Sequence, residues 1–243
     1  MELNLKDRVA AVTGGAEGIG KAIAKGLAAE GCAIWILDRN DSAAQSTAAA
    51  IGAKAATVDV SDAAAVAQVF QNLGRLDILV NAAGVLSTGL VADLPVTEWQ
   101  RVSEVNIAGV LYCVKAAMPT LRKQHYGRII NLASVSALRG GGSIGNTLYG
   151  ATKAGVAALT MGLARELGGD GITVNAIAPA VADTAMTHAA LTDEARQKIL
   201  ARIPLGRLAS LSDIADLAVF LASDRAGFIN GAVIPVDGGI LTT

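Results

Sequence analysis

The chain has 243 residues, 52% of them hydrophobic and 17% charged, with a net charge of −1. That length fits one α/β domain, and the near-neutral charge argues against a partner held through nucleic-acid phosphates. The N-terminal run Met1 to Arg8 carries charges where a signal peptide needs an apolar core, and no apolar run is long enough to span a bilayer. The expectation is a soluble, cytoplasmic protein of a reducing compartment. Cys32 and Cys113 lie far apart in apolar surroundings and read as buried thiols, not as a disulfide or metal pair. With His125 and His188 as the two histidines, no metal site is expected. So apolar a composition also predicts surface buried between subunits.

Short apolar runs alternate with longer helical patterns. The expected strands are Val9 to Thr13, Ala33 to Leu37, Ala55 to Val58, Ile78 to Val80, Arg128 to Leu132, Thr173 to Ile177 and Ala232 to Val236. Most are continuous apolar runs without alternation, which marks strands covered on both faces. Between them lie amphipathic stretches such as Gly20 to Glu30 and Ala63 to Leu73, and the alanine-dense tract Ala43 to Ala56 has a helix-forming composition. Strand–helix–strand repetition predicts a single-domain, doubly wound parallel sheet of about seven strands with right-handed crossovers, Rossmann-like in class. The segment 183–204 breaks the alternation and would cover the carboxyl edge of the sheet, where ligands bind in such folds.

The turn Thr13-Gly14-Gly15-Ala16-Glu17-Gly18-Ile19-Gly20 stands between the first strand and first helix. Glycines there let the backbone approach a pyrophosphate, and the helix N-terminus supplies amides and partial positive charge. Asp38 follows the second strand, placed to accept both hydrogen bonds of an adenosine ribose diol and to repel a 2′-phosphate. Glu17 adds a second negative charge, and Arg39 is the dissenting cation. Two acids against one arginine favour NAD(H) over NADP(H). Asp59 and Val60 end the third strand, where Asp59 reads either as an adenine contact or as a turn acid, with Ser61 or Asp62 better placed to cap the next helix. Asn81-Ala82-Ala83-Gly84 follows the fourth strand, and its small side chains would let a cofactor lie against the backbone.

Tyr149 and Lys153 are four apart and share a helix face. A free phenol titrates at about 10, and a neighbouring cation lowers that by roughly one to three units. Ser134 follows the fifth strand, where its hydroxyl would meet a substrate oxygen, and Ser136 competes for the role. The expected pocket walls are Leu86, Ser136, 140–143, Asn146 and 183–188. With Ser136, Asn146 and His188 as candidate substrate contacts, this mixture of hydroxyl, amide and imidazole suits a small polar substrate. A lone histidine such as His188 is more often a surface helix residue than a substrate ligand.

Taken together, these pieces resemble the short-chain dehydrogenase/reductase family over nearly the whole chain. The matching motifs are the turn Thr13 to Gly20, Asp59, Asn81 to Gly84, Asn106, Ser134, Tyr149, Lys153, Asn175 to Pro179 with Thr184-Ala185-Met186, and Asp237-Gly238-Gly239. The resemblance implies roles. Tyr149 would be the general acid/base, Lys153 its partner and ribose anchor, and Ser134 the group that polarises the carbonyl. Asn106 would support a water-linked proton relay from Lys153. Val181 and Thr184, beside Pro179, would bind the nicotinamide carboxamide. It further implies a homotetramer packed through helices around Ser103 to Leu121 and Tyr149 to Gly168. Three departures stand out: Ala82 for a second asparagine, Pro179-Ala180 for Pro-Gly, and a longer Ser134-to-Tyr149 segment, as in members acting on polyols and sugars. The expected function is an NAD-dependent dehydrogenase acting on a small polyol, sugar or hydroxy acid. The alternatives are an NADPH-dependent ketone reductase such as the 3-oxoacyl-carrier-protein type, or a dinucleotide-binding regulator without catalysis.

Overall fold

The computed structural model describes residues 2–142, 144–184, 187 and 191–242. Seven strands form one sheet: β1 Val9–Thr13, β2 Ala33–Asp38, β3 Lys54–Thr57, β4 Ile78–Asn81, β5 Gly127–Leu132, β6 Ile172–Pro179 and β7 Val233–Val236. All pairings are parallel, in the order β3-β2-β1-β4-β5-β6-β7. The order reverses between β1 and β4, so a crevice opens at their carboxyl ends.

Side-chain alternation explains why the strands read as unbroken apolar runs. Ala10 and Val12 of β1, Ile34 and Ile36 of β2, Ile78 and Val80 of β4, and Ile130 of β5 face one core. Ala11, Leu37, Leu79 and Ile129 face the other. The first core packs under helices α1 (Gly18–Ala29) and α2 (Asp41–Ile51) and under a C-terminal helix, Leu211–Ala222. The second packs under α3 (Ala63–Leu73), α5 (Gly109–Gln124) and α7 (Thr147–Leu167). Burying apolar area on both faces drives the fold at roughly 25 cal/mol per Å².

Local signals set the boundaries. The alanine tract is divided because Gly52 takes a left-handed φ of 67° and ends α2, so Ala55 and Ala56 pass into β3. The region around Ser103 to Leu121 is not one regular helix. It consists of α4 (Val96–Ser103), a π-turn over Glu104–Ala108, and then α5. After β6 comes α8 (Asp193–Leu200), capped by Thr192 through the Ala195 amide at 3.2 Å; α9 is the helix Leu211–Ala222. Val135, Ile199, Ile203, Leu208 and Ile240 form a third, small core that seats this segment over the carboxyl edge of the sheet.

The opposite edge is closed by charge. Asp77 accepts from the Val9 amide at 2.8 Å and pairs with Arg75 at 2.9 Å and Arg8 at 3.5 Å. Arg8 and Arg128 lie on the Tyr126 ring, whose hydroxyl donates to Asp224. Cys32 and Cys113 are free, buried and far from the crevice; burial pushes both thiols up to about 12, which makes them unreactive. Among the described residues no helix is long and apolar enough to cross a membrane, and no three His, Cys, Asp or Glu side chains gather to hold a metal ion.

Candidate active site

Two adjoining clefts lie at the carboxyl edge and share Ile19, Ala82, Gly84, Val85 and Thr184 as common walls. The first cleft is a dinucleotide cradle. Gly14 has φ 62°, and a Cβ there would stand 2.7 Å from the Ala83 backbone, so only glycine fits between β1 and β4. Gly18 has φ 54°, and a Cβ there would meet nothing within 4 Å, so its backbone is open to the cleft at the start of α1. Glu17, the N-cap residue, makes no side-chain cap bond, so its own carboxylate does not occupy the α1 N-terminus. These features fit a pyrophosphate.

Asp38, Asp59 and Val60 wall this same cleft, with Glu17 and Arg39 at its exposed rim. Asp38 accepts from the Ala16 amide at 3.2 Å and the Asn40 amide at 3.0 Å, so it also ties the glycine turn to β2. Each carboxylate oxygen keeps further acceptor capacity for a ribose hydroxyl. Asp59 is a turn acid, bonded to the Ser61 amide and hydroxyl, and these bonds hold its carboxyl below the usual range. Asp62 is the α3 cap. Asn81 stands apart from both cleft walls. Its amide donates to Asn131 at 2.9 Å, and Asn131 donates to Thr160 of α7. Asn81 is thus built into the sheet beneath α7, while Ala83 and Gly84 reach the cradle.

The second cleft gathers Ser134, Tyr149 and Lys153. β5 delivers Ser134 to its floor, and the short helix α6 (Ser136–Arg139) follows. Ser134 accepts from the Ser136 amide at 3.1 Å, and its hydroxyl lies near enough to the Tyr149 phenol to favour the phenolate. Ser134, and not Ser136, is the hydroxyl that acts on the phenol. Lys153 is buried, its ammonium donates to the Leu132 carbonyl at 2.7 Å, and it lies 5.7 Å from the Tyr149 ring centre.

The expected lowering of the phenol by Lys153 does not appear here. Burial pushes Tyr149 up to about 12, opposed by the Ser134 hydroxyl, and burial pulls Lys153 down to about 8. The ammonium is turned to the Leu132 carbonyl, and desolvation outweighs its field. Tyr149 is consequently a protonated acid near neutrality.

Asn106 lies in the π-turn, fully buried. Its carbonyl accepts from the Val85 amide at 2.8 Å, and its amide donates to the Val85 carbonyl and the Thr152 hydroxyl. None of these bonds runs to Lys153. They clamp the cleft wall at Val85 to the helix that carries Tyr149 and Lys153. A π-turn is often found at functional sites, and here it aims the amide.

Asn146 does not wall the substrate cleft. Its carbonyl caps α7 by accepting from the Tyr149 amide at 3.0 Å, and its amide donates to Ser87 at 2.9 Å. Both ends are spent on positioning Tyr149. Ser136, Pro179, Ala180, Val181 and Thr184 do wall the cleft, while His188 and Ser143 lie outside the described residues. The walls are more apolar than the sequence implied. The apolar Val85, Leu132, Val135, Ile144 and Ile240 are scattered along the chain, and no local motif marks them; Arg139 joins them from the end of α6.

The buried ammonium yields a stability test. The folded protein releases the Lys153 proton at about 8, below its ordinary value of 10.5. Between those values the unfolded chain holds more protons, so this group makes stability rise with pH, and its cost is fully present at pH 7. Lys153→Met is expected to melt no lower than wild type at pH 7 and to lose that rise, while activity falls about a hundredfold or more. A variant that melts well below wild type at pH 7 would show that the ammonium is a net stabiliser.

Comparison with known proteins agrees with this geometry. A family model described as enoyl-(acyl carrier protein) reductase matches residues 14–241. The chain is 41% identical to a meso-2,3-butanediol dehydrogenase of Serratia marcescens, over 98% of this chain and 96% of that one. It is 38% identical to a 3-oxoacyl-[acyl-carrier-protein] reductase of Escherichia coli, over 98% and 99%. Among solved structures, a putative NAD(P)-dependent gluconate 5-dehydrogenase from Beutenbergia cavernae with bound NADP at low occupancy superposes with a TM-score of 0.95 at 36% identity, each chain covered completely. The Ser134, Tyr149 and Lys153 cluster, the glycine cradle and these relatives agree: the chain belongs to the short-chain dehydrogenase/reductase family, oxidoreductases that act on CH–OH groups.

Proposed function

We propose that the protein is an NAD-dependent dehydrogenase that interconverts a small secondary alcohol and its ketone. The observation that carries this reading is the gathering of Ser134, Tyr149 and the buried Lys153 in one cleft that shares walls with the dinucleotide cradle. A nicotinamide held in the cradle would supply the hydride chemistry at the carbinol carbon. Gly14 and Gly18 would admit the pyrophosphate, Ile19 would pack against the cofactor, and Asp38 would hold the adenosine ribose. Val60 would flank the adenine, and Val181 and Thr184 would face the carboxamide.

In this reading Ser134 hydrogen-bonds the substrate oxygen. In reduction Tyr149 gives its proton to that oxygen as the carbon gains hydride. In oxidation a Tyr149 phenolate takes the hydroxyl proton. A phenol held near 12 is a ready acid but a poor base, so oxidation near neutrality requires added positive charge beside it. Lys153, freed from the Leu132 carbonyl, is the nearest source of that charge on this chain. Asn106 would serve the relay by fixing Val85 and α7.

Support for NAD(H) comes from Asp38 and Glu17 on the cradle wall. Arg39 on the same wall favours a second reading, an NADPH-dependent ketone reductase, and the relatives named for 3-oxoacyl thioesters point the same way. Exposed apolar side chains, Val96, Met161 and Phe228 among them, support burial between subunits and hence a homotetramer. The two unreactive thiols suit a reducing cytoplasm.

Four outcomes are expected. Purified protein should form NADH from NAD+ with one or more alcohols of a panel of diols, sugars and hydroxy acids. Tyr149→Phe should lose turnover by at least about a hundredfold while NADH affinity stays unchanged, and full turnover by that variant would refute the tyrosine chemistry. Asp38→Ser should lower the NAD+ to NADP+ ratio of kcat/KM by about tenfold or more. A wild type that already prefers NADP+ would install the reductase reading. Light scattering should give a four-chain mass, and a monomer would remove the tetramer.

A further inference from the structure

The catalytic cleft carries an unspent positive charge. Arg139 ends α6, the helix that starts two residues past Ser134, and walls the catalytic cleft without walling the dinucleotide cradle. Its charge is therefore not placed for the phosphates of a cofactor. Among the described residues no acid pairs with it. The other cation of the cleft, Lys153, is committed to the Leu132 carbonyl at 2.7 Å.

No acidic side chain stands among the described walls of this cleft. The undescribed internal positions 143, 185, 186 and 188–190 carry none in the sequence either. The remaining walls are largely apolar, including Val85, Leu86, Val135, Ile144 and Ile240. Arg139 itself is exposed at the mouth of the cleft, so water screens it in part, and the apolar walls strengthen its pull on an anion from the cleft side alone. The planar guanidinium also matches a carboxylate in bidentate fashion, which a lone ammonium does not.

We infer that Arg139 is a substrate-binding residue and that the substrate is a hydroxy acid, its carboxylate held by Arg139 while its secondary hydroxyl lies at Ser134 and Tyr149. This rests on the dehydrogenase reading and narrows it to one substrate class. Amino alcohols are disfavoured by the same charge, and neutral diols gain nothing from it.

The test compares secondary hydroxy acids of graded length with their methyl esters, which keep the carbon skeleton and remove the charge. NADH formation is measured for wild type, Arg139→Gln and Arg139→Lys. Wild type should prefer a free acid over its ester by about tenfold or more in kcat/KM, mainly through KM. That preference should collapse towards parity in Arg139→Gln and return in part in Arg139→Lys. Equal use of acid and ester by wild type, or a preference that survives in Arg139→Gln, would overturn the inference while leaving the dehydrogenase standing. A loss in Arg139→Gln confined to NADPH-dependent reduction of an acetoacetyl thioester would also overturn it, by assigning the arginine to a phosphate-bearing carrier arm. Turnover of no secondary alcohol at all, charged or neutral, would overturn the parent reading and this one with it.

Discussion

The ammonium of Lys153 against the carbonyl of Leu132 is the contact on which the site depends. It joins α7 to the carboxyl end of β5 at 2.7 Å, wholly inside the protein. One turn earlier on α7 stands Tyr149, and two residues past Leu132 stands Ser134. A single buried bond thus sets the phenol over the serine. Its cost is desolvation, which pulls the ammonium down to about 8. Such a charge persists because the surrounding fold over-determines its place.

Two asparagines supply much of that determination. Asn146 caps α7 at the Tyr149 amide and grips Ser87, which fixes both the start of the helix and the loop leading from Gly84. Asn106 grips Val85 on both backbone groups and reaches Thr152, the residue before Lys153. The cleft wall and the reactive helix are therefore held to each other by side chains that need touch no ligand. A cap of this kind contributes about 1 kcal/mol to stability, but its larger effect is on geometry.

Much of this could be read from the sequence, and the reasons are physical. Parallel strands buried on both faces leave apolar runs bounded by glycine and acid, so all seven strands were located within a few residues. The glycine turn was legible because φ near 60° at Gly14 and Gly18 restricts the residue type. Ser134, Tyr149 and Lys153 were legible through residue type and spacing. What was not legible depends on tertiary contact. The apolar cleft walls come from loops distant in sequence. Asn146 looked like a ligand because its polarity was visible while its capping partners were not. Asn81 turned into the sheet because Asn131 lies opposite it in the β4–β5 register. The direction of the Tyr149 shift also escaped, because burial is a property of the fold and the i,i+4 spacing shows only the neighbour.

Burial keeps the Tyr149 phenol protonated until positive charge is brought beside it. The most direct measurement is an ultraviolet difference titration of wild type against Tyr149→Phe, free of ligand, which isolates the absorbance of this phenolate from that of the other tyrosines. The fold described here predicts that the difference signal stays absent through neutral pH and rises only towards 12. A phenolate signal already present between pH 7 and 8 would contradict it, because Lys153 would then already be lowering the phenol in the free protein.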